Sequence, residues 1–180
     1  IAHTYAQPAE GIHTSTGDGK LFITGDRYDC VVYDISDPYD PSMLGYLSSG
    51  AHISAVEVDS GLALIGSRGS GMLIFDADAY DDGSSLLATI DTPGSVYDLD
   101  LEGQTCFVTG NASDRLQAFD ISDPSNPIWV GGFDGLASPY GVRIQDGYAY
   151  VTDGLSGLRI LDVRDPSQII QVGSYPAASL

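Results

Sequence analysis

The sequence is poor in positive charge. Lys20 is its one lysine, and seven basic residues stand against 25 acidic ones, for a net charge of −18. A phosphate backbone would be repelled by most of such a surface, which argues against a nucleic-acid partner and against anionic membranes. Long apolar runs are missing too. No stretch approaches the roughly 20 residues needed to span a bilayer, so membrane insertion is not expected. Cysteine is limited to Cys30 and Cys106. They fall in different strands of non-adjacent repeat units, too far apart for the Cα separation of about 4.4–6.8 Å that a disulfide needs. Two buried free thiols are expected, and the count fixes no redox compartment. Catalytic fingerprints are lacking as well: there is no G-x-S-x-G, H-E-x-x-H, P-loop or Rossmann motif. His3, His13 and His52 fall at non-equivalent repeat positions, so a non-enzymatic role is expected and no cofactor is called for. The chain opens at Ile1 without a methionine, which suggests a removed targeting segment or a piece of something longer.

What the sequence does contain is a repeat. Hydrophobic strands run into an aspartate turn at Asp34-Ile35-Ser36-Asp37-Pro38, Asp76-Ala77-Asp78, Asp120-Ile121-Ser122-Asp123-Pro124 and Asp162-Val163-Arg164-Asp165-Pro166. The marker aspartates are 42, 44 and 42 positions apart. A period of this size denotes a supersecondary unit that stacks on copies of itself. Each unit offers four short strands. The first are His13–Thr16, Ala55–Val58, Asp98–Leu101 and Gly141–Ile144, and the fourth end at Leu47, Ile90, Phe133 and Tyr175. Alternating strands with a turn every 8–12 residues, including the hairpin signal Asp146-Gly147, describe a propeller blade. The expected fold is all-β: a β-propeller of four four-stranded antiparallel blades within one domain. Blade boundaries fall at 11–51, 52–94, 95–137 and 138–180, with residues 1–10 as an outer strand of a preceding blade and its loop.

The stretch Gly147-Tyr148-Ala149-Tyr150-Val151-Thr152-Asp153-Gly154 through Pro166 resembles the LVIVD repeat of bacterial and archaeal surface proteins. The first and third units share its Asp-x-Ser-Asp-Pro turn, and the second departs from it. The resemblance implies a cell-surface or secreted propeller and carries no catalytic residues.

The N-terminus breaks the count. Ala2-His3-Thr4-Tyr5 aligns with Val172–Tyr175, an outer strand, although the last unit already has its own. An open arc of blades would expose apolar faces at both ends. The expectation is therefore a propeller that is part of a larger one or is completed by protein partners or copies of itself, with a compact four-bladed ring as the alternative.

Several residues are candidates for sites. The aspartate turns hold side chains able to bond nearby backbone N–H groups, and one turn alone has too few oxygens for calcium. The divergent second turn, with Asp76, Asp78, Asp81 and Asp82, is the better Ca2+ candidate, although Tyr80 sits where an oxygen ligand should be. Asn111-Ala112-Ser113 is a glycosylation sequon. Ser15, Glu57, Asp100 and Arg143 align on the first strands, which approach the propeller axis, and Tyr97 and Tyr140 lie beside them. They could bind a glycan or small ligand, or simply face channel water.

Overall fold

The computed structural model describes residues 13–24, 29–50, 52–80, 85–92, 94–110 and 116–177. Four antiparallel sheets of four strands follow one another along the chain. Blade 1 is β1 (Thr14–Gly17), β2 (Lys20–Thr24), β3 (Asp29–Asp34) and β4 (Ser42–Ser48). Blade 2 is β5 (Ile53–Asp59), β6 (Leu62–Ser67), β7 (Gly71–Asp76) and β8 (Leu86–Ile90). Blade 3 is β9 (Val96–Glu102), β10 (Thr105–Gly110), β11 (Leu116–Asp120) and β12 (Ile128–Phe133). Blade 4 is β13 (Pro139–Gln145), β14 (Tyr148–Asp153), β15 (Leu158–Asp162) and β16 (Ile170–Tyr175), with one short 3-10 turn at Gly154–Ser156. This is the expected propeller architecture, and its strands lie within a residue or two of where the alternation puts them. The outer-strand segment Ala2–Tyr5 lies outside the described residues.

Local chemistry explains where each blade folds back. The β1–β2, β5–β6 and β13–β14 hairpins turn on Asp18-Gly19, Ser60-Gly61 and Asp146-Gly147, with both residues at positive φ in each. Such primed turns match the strand twist and favour Asn or Asp followed by Gly, a preference that two of the three meet. The marker aspartates close the third strand. Oδ1 of Asp34, Asp76, Asp120 and Asp162 accepts the N–H two residues on, at 2.8, 2.9, 2.8 and 3.2 Å. A second such bond follows from Asp37, Asp123 and Asp165 in the three proline-containing turns. The residue after each marker donates back to the preceding hairpin, Ile35 to Gly19, Ala77 to Gly61, Ile121 to Gln104 and Val163 to Gly147. The acid in the turn thus substitutes for a backbone acceptor and carries the chain across to the fourth strand. At Asp34, Asp120 and Asp162 the hydrogen bonds favour the ionised form. Ser36 and Ser122 hold the carboxyls of Asp34 and Asp120 below the usual range, and the Arg164 side chain does so for Asp162.

Blades stack through their faces. The inner strands β1, β5, β9 and β13 pack in that order, and three apolar layers form between consecutive blades. Phe22, Val32, Cys30 and Leu47 of blade 1 meet Val56, Ile65, Leu73 and Phe75 of blade 2. Leu64, Met72 and Ile74 meet Leu99, Cys106 and Phe119 in the next layer, and Phe107, Leu116 and Ala118 meet Val142, Ala149 and Leu161 in the last. Both cysteines are buried and free, as expected. Burial pushes the Cys30 thiol up to about 12, and it raises that of Cys106, whose sulfur lies 3.4 Å from the Met72 sulfur. Neither is poised to react as a thiolate.

The close approach of blades leaves no room for a side chain at Gly131. A Cβ there would lie 1.9 Å from the Pro166 carbonyl oxygen, in the turn of the following blade. Gly131→Ala is expected to force blades 3 and 4 apart and cost about 1–3 kcal/mol, measured by urea denaturation. An unchanged midpoint would contradict this packing.

Candidate functional site on the inner strands

The aligned candidates share a register position. Ser15 is paired with Phe22, Glu57 with Leu64, Asp100 with Phe107 and Arg143 with Tyr150. Because strand residues alternate between faces, the four share one side of their blades, the side that in blades 1, 2 and 3 meets the following blade. What they do there is mostly structural. Ser15 donates to Glu57 Oε1 at 3.3 Å and accepts from the Val58 N–H at 3.0 Å. Asp100 Oδ2 accepts the Ile144 N–H at 2.6 Å.

Asp100 is one rung of a ladder. On β9, Asp98, Asp100 and Glu102 alternate and so share one face. Their carboxylates accept the N–H groups of Val142, Ile144 and Gly147 in blade 4, at 3.0, 2.6 and 3.0 Å. Two backbone donors on the inner edge of β13 and one in the hairpin that follows it are thereby satisfied by the preceding blade. Asp98 also takes Arg143 Nη1 at 3.0 Å. The hydroxyl of Thr109 spans the same seam to the Tyr140 carbonyl at 2.8 Å. The period-2 spacing of the three acids was the sequence signal for this ladder. Its partners, 44 or 45 residues away, have no sequence signature.

Beside the ladder the Tyr97 and Tyr140 rings stack, centroids 5.2 Å apart at 10°. They line an open cleft of about 370 Å3 with His13, Ser54, Arg68, Asp98 and Gly141. Arg68 and Ser54 were not among the sequence candidates; Arg68 occupies the tight β6–β7 turn, where nothing in its pattern marks it. Glu57 is half-buried within electrostatic reach of Asp100 and Asp98, with Arg143 opposing them. Burial raises its carboxyl above the usual range, and Asp100 adds to this. Another acid escaped sequence reading. Asp153 is fully buried, accepts the N–H groups of Ala137 and Ser138 at 2.8 and 2.7 Å, and pairs with Arg159 at 3.2 Å. It pins the entry to blade 4.

The acidic turn of blade 2 is brought together only in part. Asp76 spends one oxygen on the Asp78 N–H, and Asp78 pairs with Lys20 of blade 1. Asp81, Asp82 and the sequon residue Asn111 lie outside the described residues. Among the described residues no group of three or more His, Cys, Asp or Glu is placed to hold a metal ion, and no helix is long and apolar enough to cross a membrane.

Two consequences are measurable. Asp98 is buried whereas the Arg143 side chain is 61% exposed. Asp98→Ala strands the Val142 N–H and is expected to cost about 2–4 kcal/mol, whereas Arg143→Ala should cost less than about 1 kcal/mol. Equal losses in denaturant titrations would contradict the ladder. Glu57 behaves in the opposite sense. A folded-state pKa above the unfolded one means that the ionised form weighs against the fold, a penalty that fades as pH drops below both values. Glu57→Gln should therefore raise the melting temperature at pH 7, with the gain vanishing toward about pH 4. A lower melting temperature at pH 7 would contradict it.

The comparisons agree with this architecture. The structure is similar to a protein from Lactobacillus plantarum, with a TM-score of 0.79 and 16% identity over 97% of this chain and 58% of that one. It is similar to the WD40 repeats of RRP9, with a TM-score of 0.74 and 10% identity over 93% of this chain and 52% of that one. The computationally designed Ika4 protein gives a TM-score of 0.70 and 11% identity over 90% of this chain and 96% of that one. The chain thus spans little more than half the length of the two natural structures, and identities this low establish the fold alone. No curated protein matches the sequence. The LVIVD repeat matches residues 93–135 and 139–177, spans that enclose β9–β12 and β13–β16. In both spans a strand runs into an aspartate whose Oδ1 accepts the N–H two residues on, and the third and fourth blades of this chain match the LVIVD repeat.

Proposed function

We propose that this chain is a non-enzymatic, extracellular or cell-surface propeller module that acts by burying blade faces against other protein, in a structural or adhesive role. One observation carries the proposal: among the described residues, each end blade has one apolar face that no other blade covers. In blades 2 and 3, the central strands β6, β7, β10 and β11 are buried on both faces. In blades 1 and 4 burial alternates along β2, β3 and β14, one residue in and the next partly out. Tyr150, Leu158, Ile160 and Tyr175 lie on the outward face of blade 4, and Leu21, Ile23, Val31 and Tyr33 on that of blade 1; Tyr150 and Tyr175 are exposed and the others half-buried. Apolar sheet faces of this kind mark protein interaction sites. Asp98, Asp100 and Glu102 are tied to backbone N–H groups of the next blade, which supports a binding role over a catalytic one. Nucleic acid is disfavoured by the charge of −18.

A second role rests on the Tyr97–Tyr140 stack. Parallel rings beside Arg68, His13 and Asp98 in an open cleft suit a sugar or other small polar ligand. The two roles separate in one binding experiment. With the chain immobilised on beads, Ile23→Asp or Ile160→Asp should lower protein-mediated bead association at least about tenfold, while Tyr97→Ala leaves it unchanged. Glycan binding lost on Tyr97→Ala, with bead association indifferent to the face variants, would favour the cleft and overturn the module.

A further inference from the structure

Blade stacking in this chain is directional. Each blade presents one set of register positions forward and another backward, and the two sets are different in composition. The forward set on the second strand is Phe22, Leu64, Phe107 and Tyr150, each paired with a third-strand partner, Val32, Ile74, Ala118 and Ile160. Next along the third strand come Cys30, Met72, Leu116 and Leu158, each paired with the outer-strand residue Leu47, Ile90, Phe133 or Tyr175. In blades 1, 2 and 3 the second-strand member is 0, 0 and 1% exposed, covered by the following blade. In blade 4 the same position, Tyr150, is 38% exposed, and Tyr175 is 68% exposed.

The backward set is Ala63, Ile65, Leu73 and Phe75 in blade 2, all nearly or fully buried on blade 1, and Ala149, Val151 and Leu161 in blade 4, fully buried on blade 3. Register places Leu21, Ile23, Val31 and Tyr33 at these positions in blade 1. They are only partly covered. Among the described residues the arc therefore ends in one unfilled forward face and one incompletely filled backward face, the two halves of a contact that it makes three times internally. Among the described residues, blades 1 and 4 do not repeat with each other the packing of inner strands that joins the other neighbours.

We propose that the forward face of blade 4 seats the backward face of blade 1 from a second copy of this chain. The contact is heterologous, and two copies close it reciprocally, blade 4 of each onto blade 1 of the other. The resulting ring has about eight blades, within the range of roughly four to eight that propellers adopt. The occupant is argued from the internal seams. The second copy brings the same class of surface that covers Phe22, Leu64 and Phe107, and Leu21 in place of the alanine of blades 2 and 4 adds apolar volume opposite Tyr150. The proposal rests on the module role and names its partner.

The experiment is light scattering of the 180-residue chain with two single variants. The parent should have twice the 18.9 kDa mass of one chain. Ile160→Asp and Ile23→Asp should each run as folded monomers, the dimer dissociation constant rising at least about 100-fold. An equimolar mixture of the two should recover dimer, because the variants leave one matched pair of native faces, blade 4 of the Ile23→Asp chain and blade 1 of the Ile160→Asp chain. That recovery also excludes misfolding as the cause of monomer. A monomeric parent overturns the proposal, and so does an Ile23→Asp chain that stays fully dimeric, since the contact would then join like faces. If the monomeric parent still associates with a different protein in a manner abolished by Ile160→Asp, the second copy is wrong and the module survives. If no association responds to either variant, both are wrong.

Discussion

The fold depends on face-to-face burial between blades. A single four-stranded sheet of this repeat has apolar residues on both sides of its central strands and covers neither by itself. Three seams cover six faces and leave two. The hydrogen bonds within each sheet set the shape of a blade, but the seams make the blades one body: they bury Phe22, Leu64 and Phe107, the second-strand residues at the centre of each layer. Stability in such an arrangement is approximately a sum over units and nearest-neighbour interfaces. It is expected to be greatest in blades 2 and 3 and to decline toward the ends.

Acidic residues, so abundant in the sequence, divide into two structural uses. Those in the turns accept N–H groups two residues on and are local. Those on β9 accept N–H groups of the next blade and are long-range. Both uses bind backbone donors that a strand end or inner edge would otherwise leave to water. The aspartates thus do in the propeller what ladder carbonyls do in the middle of a sheet. The charge of −18 is partly a by-product of this habit, and it sets the character of the solvent-facing surface.

Much of this was legible in the sequence because the signal was periodic. The marker aspartates located the end of every third strand, and alternation located the strands themselves to within a residue or two. The shared position of Ser15, Glu57, Asp100 and Arg143 followed from counting alone. Their partners did not. Asp100 meets Ile144 across a seam, and a carboxylate that accepts a backbone N–H is indifferent to the identity of its partner residue, so no sequence pattern can mark it. Asp153 was hidden in the same way: in sequence it opens a loop, and only the fold brings Ala137 and Ser138 onto it. The Tyr97–Tyr140 stack was half legible, as two tyrosines known to be near the axis but not to touch.

Amide hydrogen exchange resolved by strand, in solution dilute enough to keep chains apart, tests the central claim most directly. The account predicts the slowest exchange in β6, β7, β10 and β11, and faster exchange in β2, β3, β14 and β15, the central strands of the two blades with one face uncovered. Uniform protection across all four blades, or protection greatest in blade 1 or blade 4, would contradict it.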